Sequence, residues 1–141
     1  MPFQLWRRNT IRNDEIMEQA TKYAPFVARV LIGALFVIAG LGKLGDVAGF
    51  TGFLTSGGLP AFLAWPSIIF EVALGVAMIV GYQVRIMALL GAGFSVLAGL
   101  LYHFDPADQM QMTMFLKNLA IAGGFLMLAT YGAGAVALDK R

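Results

Sequence analysis

Residues 68–80 read IIFEVALGVAMIV, an apolar run with one carboxylate, Glu71, near its middle. Extended outward, the run stays apolar from about residue 61 to residue 82, with Trp65 and Tyr82 near its ends. That is close to the roughly 20 residues that cross a hydrocarbon core about 30 Å thick, with aromatic side chains where headgroups begin. Three further blocks match it, at about residues 26–42, 86–102 and 112–131. The chain has 141 residues, 59% of them hydrophobic and only 13% charged, and its mean hydropathy is +0.76. A water-soluble domain carries close to twice that share of charge. The expectation is therefore an all-α membrane protein, a four-transmembrane-helix bundle in the lipid bilayer.

Between the first two spans, DVAGFTGFLT (residues 46–55) is too short and too glycine-broken to cross, and is expected as a short interfacial helix. Ser56-Gly57-Gly58-Leu59-Pro60 reads as a turn. Pro25 stands where a helix begins, so the first span is expected to start there. Residues 1–24 then form a separate cytoplasmic or interfacial segment, with a short helix capped by Asn13 or Asp14 and Trp6 and Tyr23 at headgroup level. Residues 25–132 make the membrane domain and 133–141 a cytoplasmic tail. No apolar run follows Arg7, Arg8 and Arg12 before residue 25, so a cleavable signal peptide is not expected. Basic residues gather in the N-terminal segment, at Arg85 and at Lys140-Arg141, which with four spans lie on one side. The positive-inside rule makes both termini cytoplasmic.

Composition excludes several chemistries. The chain has no cysteine, which removes disulfides, Fe–S clusters and thiol catalysis, and its single histidine argues against a zinc or bis-histidine haem site. No metal site is expected. The basic residues are scattered at span ends, without the clustering of a nucleic-acid surface.

The polar residues inside the spans need explaining, because an ionisable group there is costly and marks a functional site by default. At about 1.5 Å rise per residue, Glu71 on the second span and Lys117 and Asn118 on the fourth reach overlapping depths. Lys43 and His103 close the first and third spans at the same mouth, so the five residues can form one polar cluster. Glu71 and Lys117 are the expected central pair, as a proton or ligand site or as a buried ion pair that holds helix register. Arg29 enters from the opposite side, and Arg85 is expected to snorkel to headgroups. Gly75, one turn after Glu71, leaves space for a partner helix or a ligand. Gly91, Ser95 and Gly99 form a small-residue stripe for close helix contact.

These residues also carry a resemblance. Arg29, the close Ala39-Gly40-Leu41-Gly42-Lys43-Leu44, Gly58-Leu59-Pro60, Glu71 with Gly75, and Arg85 occur in this order. Tyr102-His103, Phe115-Leu116-Lys117-Asn118-Leu119 and Tyr131-Gly132-Ala133-Gly134 follow. From Arg29 onward the chain resembles the DoxX family of small four-helix bacterial membrane proteins, in particular its proteobacterial inner-membrane branch. The resemblance implies the inner membrane and, through the family's association with quinol oxidase and thiosulfate:quinone oxidoreductase subunits, a link to oxidoreductases. Residues 1–24 have no counterpart in it.

Two functional readings follow. In the first, the chain is a redox-linked subunit that binds a quinone. Lys117, Asn118 and His103 donate to its carbonyls, Glu71 handles the proton, Lys43, Arg29 and Gly75 complete the site, and electrons come from a partner redox subunit because the chain carries no cofactor of its own. The isoprenoid tail would use room left at Gly75 and Gly124. In the second, the protein is a non-enzymatic scaffold or assembly subunit whose buried charges are structural. A small proton-coupled transporter is a third reading, with a homo-oligomer supplying the room that four helices lack.

Overall fold

A computed structural model describes residues 2–139, with side chains described from Thr10 onward except at residue 11. The sequence expectations for Trp6 and for Lys140-Arg141 fall outside these described positions. The elements are α1 (Pro2–Lys43), α2 (Val47–Ser56), α3 (Ala64–Val80), α4 (Val84–Tyr102) and α5 (Gln109–Tyr131), with 3-10 turns at Leu44–Asp46 and Ala61–Leu63. Among the described residues, four helical stretches are long and apolar enough to cross a membrane, and α2 is the short helix expected between the first two.

The first helix differs from expectation. Pro25 lies inside α1, which runs unbroken from the N-terminal segment into the first span. At about 1.5 Å per residue it is roughly 63 Å long, twice a hydrocarbon core. Neither a separate helix capped by Asn13 or Asp14 nor an element boundary at residue 25 is present. A proline breaks a helix through its missing N–H and its ring, and a membrane bundle can absorb both where neighbouring groups fill in. Here the chain after α5 packs on the proline ring: a Cβ on Gly134 would lie 2.8 Å from the Pro25 Cβ, so the C-terminal segment passes directly over it.

The helices pack as two pairs, α1 along α3 and α4 along α5, joined by fewer contacts between α3 and α4 and between α1 and α5. Glycine makes the first pair close. A Cβ on Gly75 would sit 2.6 Å from the Gly33 carbonyl oxygen, and one on Gly40 would sit 2.7 Å from Val72 Cγ2. Backbone approach of this kind is how helices associate in lipid, where burial of apolar surface gives little drive. Gly75 therefore gives its space to a partner helix, one of the two uses expected of it. Gly75→Leu is expected to force α1 from α3 and cost about 1–3 kcal/mol or more, read as a lower unfolding midpoint in detergent. On the other pair, Gly91 takes the Phe125 ring and Gly99 takes Phe115 and Asn118, as the small-residue stripe predicts. The room expected at Gly124 is closed by Ile32, 3.1 Å from its Cβ position.

The turns have identifiable causes. Gly81 and Gln83 adopt left-handed conformations (φ 75° and 49°) between α3 and α4. Gln83 offers no side-chain cap to α4, and Asp139 supplies it from far along the chain, accepting from the backbone N–H groups of Gln83 (2.7 Å) and Val84 (2.8 Å). Asp46 and Asp108 cap α2 and α5 locally. Residues 132–139, most of the expected cytoplasmic tail, are thus docked on the bundle, and they hydrogen-bond Val80 and Gly81.

Candidate functional site

The two helix pairs enclose a cavity of about 430 Å³ at the end of the bundle away from the chain termini. Its floor is aromatic. Phe36 of α1 meets Phe125 of α5 and Phe94 of α4 edge-on, at centroid distances of 5.4 and 6.1 Å, and Phe70 of α3 meets Phe94 at 5.2 Å. Below these rings the core of Leu74, Met78, Val84, Ala88 and Leu128 is closed.

The roof is α2. Asp46 starts this helix by accepting from the Gly49 N–H, and Phe50, Phe53 and Leu54 then turn toward the cavity. The Tyr102 hydroxyl donates to the Leu54 carbonyl at 2.8 Å while its ring stacks on Phe53 at 4.6 Å. Gly57 makes room for that ring: a Cβ there would lie 2.3 Å from Tyr102 Cε1. Sequence reasoning placed α2 at the interface without giving it a part in the site. The spacing of Phe50, Phe53 and Leu54, one face of a short helix, was the available signal. Tyr102→Phe is expected to leave the stack, remove the hydrogen bond at a cost of about 1 kcal/mol, and speed amide exchange in residues 47–56.

The charged pair differs from the expected one. Glu71, 6% exposed, accepts a hydrogen bond from the Lys43 ammonium at 2.5 Å. Both side chains line the cavity, and the ammonium also lies 5.1 Å from the centre of the Phe50 ring. Gly40 explains the partnership. Because α3 approaches α1 so closely there, with Glu71 Cβ 3.3 Å from the Gly40 Cβ position, Lys43 one turn later is carried to the carboxylate. Lys117 is on α5, diagonal to α3 in the bundle, and is exposed on its outer surface. Depth alone made it a candidate, and rotation about the helix axis turns it away.

The other expected residues divide. His103 and Asn118 line the cavity. His103 Nδ1 is 2.9 Å from Gln111 Oε1, which leaves Nε2 to act, and the Asn118 amide donates one proton to the Met114 carbonyl. Ser67 and Tyr102 complete the polar lining. Arg29 is far from all of these. Fully buried at the terminal end, it donates to the carbonyls of Met78 (2.8 Å) and Ile79 (3.2 Å) at the end of α3, and to Ala133 (2.9 Å) and Val136 in the C-terminal segment. It extends away from Glu71. Arg85 reaches the Ala129 carbonyl in the last turn of α5, at 3.4 Å. Among the described residues no group of acidic, histidine or cysteine side chains could hold a metal ion.

Comparison with known proteins bears on this architecture. The family model described as DoxX matches residues 24–104, from Ala24 in α1 through the cavity-lining halves of α3 and α4. The chain belongs to the DoxX family. Two inner membrane proteins of Escherichia coli K12 are similar along most of this DoxX chain. YqjF is 38% identical over 124 residues, covering 88% of this chain and 95% of its own length. YphA is 30% identical over 122 residues, covering 82% and 87%. No solved structure shows a significant match. With four spans and these relatives, this DoxX protein is a multi-pass protein of the bacterial inner membrane.

Proposed function

We propose that the cavity binds the head group of a quinone or quinol and that the protein serves a redox-linked membrane complex. The observation that carries this reading is an ion pair, Lys43 with Glu71, opening onto a mainly apolar, aromatic-floored space of about 430 Å³. Pockets of about 300–1,000 Å³ with few polar groups suit small apolar ligands. The pair is neutral overall, which favours an uncharged head over an anion or a cation. Lys43 would donate to one quinone oxygen and the second Asn118 amide proton is available to the other. His103, whose Nδ1–H donates to Gln111 Oε1, offers Nε2 as an acceptor for a quinol hydroxyl, and Glu71 is the group able to pass a proton. Two electrons for each quinone reduced would come from a partner redox protein. The charge pattern favours cytoplasmic termini, with the cavity near the outer face.

The test uses the full chain purified in mild detergent. The expected result is a quinone in the solvent extract and a raised unfolding temperature on adding decyl-benzoquinone, with both effects lost in His103→Ala/Asn118→Ala. Absence of quinone together with an unchanged unfolding temperature would remove the reading. The scaffold alternative is favoured by one observation, that the pair ties α1 to α3. It predicts that Glu71→Gln disturbs assembly and activity in the same proportion.

A further inference from the structure

Taking the cavity as a ligand site, we propose that it opens sideways into the bilayer at the two seams between the α1–α3 and α4–α5 pairs, past Leu35 of α1 on the side of α5 and past Leu97 of α4 on the side of α3, and that the ligand's hydrocarbon tail leaves there. The other routes are covered. Toward water, α2 lies across the mouth, held by the Tyr102 bond to Leu54 and the stack on Phe53. Toward the termini, Phe36, Phe94 and Phe125 close the floor. The close glycine contacts hold each pair together internally and do not cross between pairs at this level. The two seams, α1 against α5 and α3 against α4, are therefore the weakest parts of the wall.

Side chains along both seams are hydrocarbon. Leu35 and Leu97 line the cavity and are nonetheless 47% and 51% exposed, and Leu101 follows Leu97 one turn on. In a bilayer that exposure faces acyl chains. Depth gives the ligand an orientation. Leu35, Ala39 and Lys43 form one stripe along α1, so at 1.5 Å per residue Leu35 lies about 12 Å deeper than Lys43. A molecule whose polar head meets Lys43 and Glu71 would send its tail toward the bilayer centre, as an amphiphile in that leaflet already lies. The chemical class is thus an uncharged polar head on a single hydrocarbon chain, taken from the membrane without passing through water.

The experiment reconstitutes the full chain in phosphatidylcholine vesicles containing a long-chain alcohol with a diazirine in mid-chain. After illumination, peptide mapping is expected to find the label on Ala98 and Ile121, which line the cavity, as well as on outward-facing Leu126. Leu35→Trp/Leu97→Trp should lower labelling of Ala98 and Ile121 several-fold and spare Leu126, with Leu35→Phe/Leu97→Phe as a milder variant if the first fails to fold. Unlabelled Ala98 and Ile121 in the unaltered protein, labelling untouched by either variant, or equal labelling by a water-soluble diazirine would each overturn the proposal. Added decyl-benzoquinone separates this proposal from the function it rests on. Suppressed labelling at Ala98 and Ile121 supports both, whereas undiminished labelling leaves the lateral opening standing and counts against the quinone.

Discussion

Lys43→Met is expected to destabilise the bundle by about 3 kcal/mol, because it strands a nearly buried carboxylate without its counter-charge. Lys43 keeps 24% of its side-chain surface accessible, which puts the cost at the low end for breaking such a pair. The double variant Lys43→Met/Glu71→Leu should recover most of that loss, since replacing both members of a buried pair by apolar groups is often neutral. The measurement is chemical unfolding in detergent for the two single variants and the double. An additive result would mean that the two charges do not stabilise one another. The same proteins separate structure from function: a double variant that folds normally yet no longer gains stability from added decyl-benzoquinone would tie the pair to the ligand. Retained binding would leave the pair with a packing role alone.

Arg29→Ala is expected to be the more damaging change. The guanidinium satisfies the carbonyls of Met78, Ile79, Ala133 and Val136, and the nearby Asp139 carboxylate balances its charge. Each buried carbonyl left unmet costs about 1–3 kcal/mol, so losing the hub should release residues 132–139 and with them the Asp139 cap on α4. The check is amide exchange across residues 80–84 and 132–139, together with the amount of folded protein recovered. Arg29→Lys should rescue only part, because an ammonium donates from a point where the guanidinium spreads its donors across a plane. Unchanged exchange in the C-terminal segment of Arg29→Ala would show that the segment is held by other means.

Much of the fold was legible in the chain because span length is a one-dimensional quantity. The apolar blocks around Phe36, Glu71, Ser95 and Phe125 each match the thickness of a bilayer, and the run at residues 46–55 visibly does not. Depth is equally local, so Lys43, Glu71, His103 and Asn118 could be placed near one mouth by counting residues. Rotation about each helix axis is not local. Lys117 and Asn118 are neighbours in sequence, yet one faces outward and the other lines the cavity, and their depths alone could not separate them.

Pro25 and the C-terminal segment show the same division. A proline after a charged stretch reads as a helix start, and only the fold shows α1 continuing through it with the C-terminal segment packed on its ring. Arg29 could be seen to be costly but not what it satisfied, because its acceptors are backbone carbonyls that every sequence possesses. By itself the sequence determined that four apolar helices cross a membrane with a carboxylate inside, since that follows from hydrophobicity and length. The tertiary structure decided that Lys43 meets this carboxylate, that α2 roofs the cavity and that Arg29 clasps the opposite end. Those outcomes depend on where glycines let helix backbones touch, and that contact sets the rotation of each helix and the reach of each side chain.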